Sequence, residues 1–114
     1  MINQKLEHQQ SVFLHLFNQT YLLWSGAVGS KDEEDIPKFT IALKNCIEGL
    51  RGIIIFKLKS LNSNNKLSEE EKVKKSIMEE TMSLCYDLIQ YVRRSDTDNA
   101  VIAYNKIFSN FKRL

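Results

Sequence analysis

The residues that could do chemistry in this 114-residue chain stand too far apart to share a reaction. Two histidines, His8 and His15, are seven residues apart, on one face of a helix but two turns from each other. A pair of histidines that binds a metal on a helix needs a spacing of four residues. We therefore expect surface or partly buried histidines, no metal site and no cofactor.

The two cysteines, Cys46 and Cys85, both fall on apolar stripes of the sequence. Two cysteines this far apart make no disulfide framework, and a buried free cysteine packs as a small hydrophobic side chain. A catalytic thiol needs an activating base nearby, and the sequence identifies none. The pattern predicts buried, reduced thiols without a bound metal in a cytoplasmic protein, and no catalytic residues.

Glycine and charge patterns do not indicate a phosphate or nucleic-acid site. Gly26 and Gly29 have the spacing of a linker more than that of a phosphate-binding loop. The chain carries 16 basic and 14 acidic residues, and the lysines of segment 72–75 lie among glutamates, as on a salt-bridged solvent face. A nucleic-acid-binding protein shows a concentrated basic face instead. We expect no enzyme activity and no nucleic-acid partner, so function has to come through protein-binding surfaces.

The uncharged segment 12–29 is the part of the chain that most resembles a signal peptide or a membrane span. Asn18, Gln19 and Thr20 interrupt its apolar run, and Glu7 stands where a signal peptide carries positive charge. A membrane span needs about 20 predominantly apolar residues. The sequence therefore predicts no membrane partner and a cytoplasmic location.

Four amphipathic segments with short polar breaks account for almost the whole chain. Apolar residues repeat at helical spacing in segments 2–25, 36–61, 69–94 and 100–114. A chain of this length is expected to form a single domain, residues 1–114. Helices joined by short loops favour antiparallel neighbours. The predicted fold class is all-α, an antiparallel up-down helical bundle of four main helices.

The starts of the helices carry recognisable signals. Ser68 and Glu71 have the spacing of a capping box, in which each side chain binds the backbone N–H of the other residue. Asp35 is the expected N-cap of the second helix, with Pro37 in its first turn, where the missing N–H costs nothing. Residues 95–98, SDTD, are expected to end the third helix and cap the fourth.

The stretch 49–61, GLRGIIIFKLKSL, could be read alone as a buried strand. It belongs to a run of about 26 residues that keeps a 3.6-residue period, far longer than a typical strand, so we predict a helix. Gly49 and Gly52 each cost about 1 kcal/mol relative to alanine inside a helix. Two such glycines indicate close helix packing or a local bend.

The first two helices have more apolar surface than one core-facing stripe requires. With Phe17 and Leu50 at the centres of the core faces, six further apolar residues fall about 100–180° away on a helical wheel. These six candidate partner-binding residues are Val12, Leu16, Leu23, Ile41, Ile55 and Phe56. Either the two helices are buried on two sides, or the residues form a homodimer interface, or they line a groove that receives an amphipathic helix of another protein.

Three segments are similar in order and pattern to the helices of the flagellin-specific export chaperones. The segment SVFLHLFNQTYLLWSGAV resembles the first core helix of that family, with Phe17, Asn18 and Gln19 where the family has Tyr-Asp-Gly. The segment IALKNCIEGLRGII resembles the second helix. The segment LCYDLIQYVRR is similar to the third, with Tyr86 and Asp87 at a recurrent Tyr-Asp.

This resemblance implies a non-catalytic, cytoplasmic bundle that holds a helical segment of an export substrate, such as flagellin, in apolar grooves. The alternative is a small helical immunity or antitoxin-like protein that neutralises a toxin by direct binding. Immunity surfaces often carry one sign of charge, whereas the charges of this chain are mixed, which favours the chaperone. A helical regulatory adaptor is not distinguished from either by the sequence.

Overall fold

The chain folds into four α-helices that pack against one another, and its computed structural model describes residues 2–63 and 66–114. The helices are α1 (Ile2–Gly29), α2 (Asp35–Asn62), α3 (Glu69–Arg93) and α4 (Thr97–Lys112). They hold 87% of the described residues, among which there is no strand. The prediction of an all-α fold with four helices is confirmed, and the run 53–56 lies inside α2. None of the helices in the described ranges is both long and apolar enough to cross a membrane.

Helix α1 continues four residues beyond its expected end at Ser25, to Gly29. Ala27 in this extra turn is buried against the core, which offsets the cost of the neighbouring glycines. The helix ends where Lys31 adopts the left-handed conformation with a φ of 56°. The Asp32 N–H then donates to the Ala27 carbonyl at 3.0 Å, which is the bond that closes a Schellman motif.

The caps agree with the sequence at α3 and differ at α2. At α3 the Ser68 hydroxyl accepts from the Glu71 N–H and the Glu71 carboxylate accepts from the Ser68 N–H, so the predicted capping box is confirmed. At α2 the predicted cap at Asp35 is wrong, because that residue is already helical. The Asp32 carboxylate accepts from the backbone N–H groups of Glu34 and Asp35 instead, since it stands one turn earlier.

The core is formed by the centres of the predicted apolar stripes. The largest fully buried side chains are Phe17, Trp24, Leu43, Ile47, Leu50, Ile54, Thr81, Cys85, Leu88, Val92, Ile107 and Phe111. The outer members of the stripes, such as Leu6, Leu61 and Leu114, are only half-buried. Leu6 near the start of α1 and Leu61 near the end of α2 therefore leave apolar side chains near the surface.

Helix α4 is joined to α1 by aromatic side chains around Tyr104. The Tyr104 ring stacks on Tyr21 with a centroid separation of 3.9 Å, and it lies 5.0 Å from the Phe17 ring. Its hydroxyl donates a hydrogen bond to the Asn18 side-chain oxygen. Because α4 has 16 residues and α1 has 28, α4 is shorter by about 18 Å at 1.5 Å per residue.

A buried polar contact fixes α3 against α4. The Thr81 hydroxyl donates to the Ile77 carbonyl at 2.6 Å and accepts from the Asn110 amide at 3.1 Å. Both side chains are buried. A buried polar group that loses its partner lowers the free energy of unfolding by more than the hydrogen bond contributed. Removing either Thr81 or Asn110 alone is therefore destabilising.

We predict that Thr81→Val lowers the free energy of unfolding by about 1–2 kcal/mol, because valine keeps the shape and leaves the Asn110 amide without its closer acceptor. Urea unfolding measures this change. The double variant Thr81→Val/Asn110→Leu is expected to recover part of the loss, since it removes both polar groups. A double variant that is less stable than the sum of the two single changes would contradict a specific pairing.

Candidate functional site

An open groove of about 540 Å³ lies between α1 and α2. We call it the α1–α2 groove. Its lining residues are Lys5, Leu6, Gln9 and Phe13 of α1, and Gly49, Gly52, Ile53 and Phe56 of α2. Among the described residues that line it, four large apolar side chains and two glycines supply most of the surface, and Lys5 carries the one charge. The groove therefore offers apolar contact with one cation at its edge.

The two glycines of α2 have different roles in the groove. A Cβ built on Gly49 would lie 2.3 Å from the Phe13 ring, so only glycine lets α1 approach this closely. A Cβ built on Gly52 would meet no atom within 4 Å, so the missing side chain leaves open space in the groove. The prediction of close helix packing is thus confirmed at Gly49, while Gly52 keeps the groove open.

A second cavity of about 370 Å³ lies where α1, α2 and α3 meet, and it shares Leu6 and Phe56 with the α1–α2 groove. Lys57 lines this end pocket and donates a hydrogen bond to Gln10. Burial lowers the pKa of the Lys57 ammonium, an effect opposed by the nearby Glu7 carboxylate and reinforced by a lysine of α3. The end pocket is therefore more polar than the α1–α2 groove, because Glu7, Lys57, Glu71 and Lys74 also line it.

Of the six residues predicted to bind a partner, five are exposed. These five are Val12, Leu16, Leu23, Ile41 and Phe56. Ile55 is half-buried. Phe56 alone among the six lines the α1–α2 groove. Val12 and Leu16 continue along α1 from two groove residues, Lys5 and Gln9, at spacings of seven residues, so they extend the same face of the helix.

Leu6, Phe13 and Ile53 line the groove although their positions in the sequence indicate core. Leu6 and Phe13 are on the core-facing stripe of α1, and Ile53 is one turn from Leu50 on α2. A single-helix wheel cannot tell that the core opens at this level. The signal that could have located the groove is the pair Gly49 and Gly52, because two glycines three residues apart remove side chains from one side of a helix.

The described side chains are not arranged for metal or thiol chemistry. Among them, no group of three His, Cys, Asp or Glu residues could hold a metal ion. Both cysteines are buried, as predicted, and Cys46 accepts a 3.6 Å hydrogen bond from Thr20. Burial raises the pKa of the Cys85 thiol to about 12, so it stays protonated at neutral pH. The arrangement is suited to noncovalent binding.

We predict slow alkylation of Cys85 in the native protein and a loss of stability at alkaline pH. The folded state holds the Cys85 proton more tightly than the unfolded chain, whose thiol titrates near about 8.5. The stabilising contribution is therefore complete below about pH 8.5 and is lost as the pH rises towards 12. Burial also raises the pKa of Tyr21 and Tyr104, which adds to the same trend.

Unfolding by urea between pH 7 and pH 11 checks this dependence. Cys85→Ala is expected to be less stable at neutral pH, because it leaves a cavity, but to lose less stability on raising the pH. Equal slopes for the wild type and the variant would contradict the burial of a neutral thiol.

Comparison of the chain with protein-family models, with curated proteins and with solved structures finds no match. The similarity to the export chaperones therefore remains a prediction from the helical pattern.

Proposed function

We propose that this chain is a non-catalytic, cytoplasmic protein-binding module that holds an amphipathic helix of a partner protein in the α1–α2 groove. The biological role that this binding supports best is that of an export or secretion chaperone. The observation that carries the proposal is the groove itself, about 540 Å³ of open space with Leu6, Phe13, Ile53 and Phe56 around it. A cavity of this size is within the range of about 300–1,000 Å³ that is typical of ligand sites.

We also propose that consecutive helices run antiparallel, as in an up-down bundle. Three contacts between α1 and α2 support this arrangement, because residue numbers rise along one helix as they fall along the other. They join Gln10 to Lys57, Phe13 to Gly49, and Thr20 to Cys46. The short connections between the helices favour the same topology. The groove then runs along two long helices, which favours an elongated occupant over a compact one.

An amphipathic helix fits both the walls and the charge of the groove. Such a helix presents apolar residues at i, i+3 or i+4, and i+7 along one face, which matches a groove between two helices. Lys5 at the edge favours an acidic residue beside that apolar face. Val12 and Leu16 would extend the contact along α1. The proposed partner is therefore an amphipathic helix with an acidic residue beside its apolar face, and the resemblance to the export chaperones makes a helical end of an export substrate, such as flagellin, the candidate.

The immunity-protein alternative receives less support from the surface. In the described parts of the chain, four salt bridges between exposed side chains are spread over α2, α3 and α4, so both signs of charge are interspersed there. A surface that covers a toxin by charge would concentrate one sign. A homodimer would use the same apolar residues as the binding of another protein. The experiment below distinguishes the two.

Site-specific photocrosslinking tests the proposal. In the native host, a photoreactive phenylalanine replaces Gln9, an exposed residue of the groove. The matched control has the photoreactive phenylalanine in place of Ser109, which is exposed on α4. We expect position 9 to capture a helical segment of another protein and position 109 to capture none. Capture of only a second copy of this chain would replace the proposal with the homodimer. Equal capture at both positions would contradict it.

A further inference from the structure

A separate cleft of about 290 Å³ lies between α2 and α3. It shares no lining residue with the α1–α2 groove or with the end pocket. Its lining residues are Lys44, Glu48 and Arg51 of α2, and Tyr86, Ile89, Gln90 and Arg93 of α3. On α2, Lys44, Glu48 and Arg51 follow one another at spacings of four and three residues. Tyr86, Gln90 and Arg93 have the same two spacings on α3. Residues at these spacings share one face of a helix, so two matching stripes border the cleft. We call it the basic cleft.

The basic cleft has more positive charge than its own carboxylate neutralises. Arg51 binds Glu48 with an N–O distance of 3.4 Å, and both side chains are nearly half exposed. In residues 2–63 and 66–114, neither Lys44 nor Arg93 has a carboxylate oxygen within 4.0 Å of its charged nitrogens. Two cations therefore border the cleft without a salt-bridge partner, on opposite helices.

The uncharged residues of the basic cleft have the composition of a binding surface. Tyr86 is 64% exposed and borders the cleft beside the cations, whereas Ile89 is buried. Tyrosine and arginine are enriched among the residues that dominate binding energy at interfaces. The cleft combines an apolar base, an exposed ring and free cations.

We propose that the basic cleft binds an acidic peptide segment of a protein partner, with carboxylates paired to Lys44 and Arg93 and the chain lying against Tyr86. A protein segment fits better than nucleic acid, because the cleft also contains the Glu48 carboxylate, which would repel a continuous phosphate backbone. The flexible spacing of carboxylates on a peptide avoids that residue. This site is separate from the α1–α2 groove, so its existence does not depend on the proposed chaperone function.

Fluorescence anisotropy with a fluorescein-labelled ten-residue peptide, in which glutamates alternate with serines, tests this proposal at low salt. We expect saturable binding that weakens at least about tenfold in Lys44→Glu and in Arg93→Glu. Lys66→Glu, an exposed position between α2 and α3, is the matched control, because it makes the same change in net charge outside the cleft. Tyr86→Glu is a further variant with little risk to folding, since its side chain is mostly exposed, and it is also expected to weaken binding.

Three results would overturn the assignment. They are no saturable binding of the peptide by the wild type, an equal loss of affinity in Lys66→Glu, and tighter binding of a fluorescein-labelled ten-nucleotide poly-dT strand than of the peptide. The second result would show a response to net charge alone, and the third would indicate a phosphate backbone as the ligand. Thermal melting of each variant shows that the fold is retained.

Discussion

Replacing Gly49 with alanine is expected to lower the free energy of unfolding by about 1–3 kcal/mol, the usual cost of forcing a packed side chain to move. The added Cβ would lie 2.3 Å from the Phe13 ring, so either the ring or helix α1 has to move. In an open part of a helix the same substitution is stabilising by up to about 1 kcal/mol. The sign of the change therefore reports how closely α1 approaches α2.

Gly52→Ala is the matched control, three residues further along the same helix. Its new Cβ would meet no atom within 4 Å, so we expect unchanged or slightly increased stability. Phe13→Ala in the Gly49→Ala background is expected to cost less than the two single changes added together, because it removes the clash. Urea unfolding of the four variants measures these differences. Equal stabilities of Gly49→Ala and Gly52→Ala would contradict the close contact.

Phe56→Ser and Leu16→Ser are expected to abolish the binding of a partner helix, with affinity falling by about tenfold to a hundredfold for each. Phe56 is 52% exposed and Leu16 is 40% exposed. Truncation of a large core side chain lowers the free energy of unfolding by about 2–5 kcal/mol, and we expect a much smaller loss here. The measurements are affinity for the crosslinked partner segment and thermal melting. Ile55→Ser should cost more stability than either, because Ile55 is half-buried.

The outcomes of these substitutions separate the remaining arrangements. A large fall in melting temperature for Phe56→Ser would place the residue in the core and remove it from the binding surface. An unchanged melting temperature with loss of self-association, measured by light scattering, would indicate a homodimer. Unchanged partner binding in both variants would contradict the assignment of these residues to the site.

The sequence was sufficient to predict the helices because their signals are local. The capping box of Ser68 and Glu71 depends on residues three apart, and the long 3.6-residue period of α2 outweighs the strand-like run 53–56. The N-cap of α2 was placed at Asp35 instead of Glu34 because several acidic residues precede the helix and each is a plausible cap. Choosing among them requires the turn geometry, in which the Asp32 carboxylate reaches the first helical N–H groups.

The candidate site was harder to predict because it depends on how two helices meet. Phe56 was identified from the wheel of α2 alone, since it lies far from the core-facing stripe. Leu6 and Phe13 have the helical spacing of the core-facing stripe around Phe17, and a wheel does not show the level at which α1 and α2 diverge. The contact of Gly49 with Phe13 sets that level, and it joins residues 36 positions apart, as counted in the sequence. Such a contact leaves no periodic signal.

Filling the α1–α2 groove tests the central claim most directly. Gly52→Leu places a large side chain in the open space of the groove, and Gly26→Leu, at a position of α1 that is equally free of neighbours within 4 Å, is the matched control. The probe is a fluorescein-labelled helical peptide with leucines on one face and glutamates beside them. We predict that the wild type and Gly26→Leu bind it alike and that Gly52→Leu binds it at least about tenfold more weakly, with all three fully folded. Equal affinity of Gly52→Leu and the wild type would contradict the groove as the binding site.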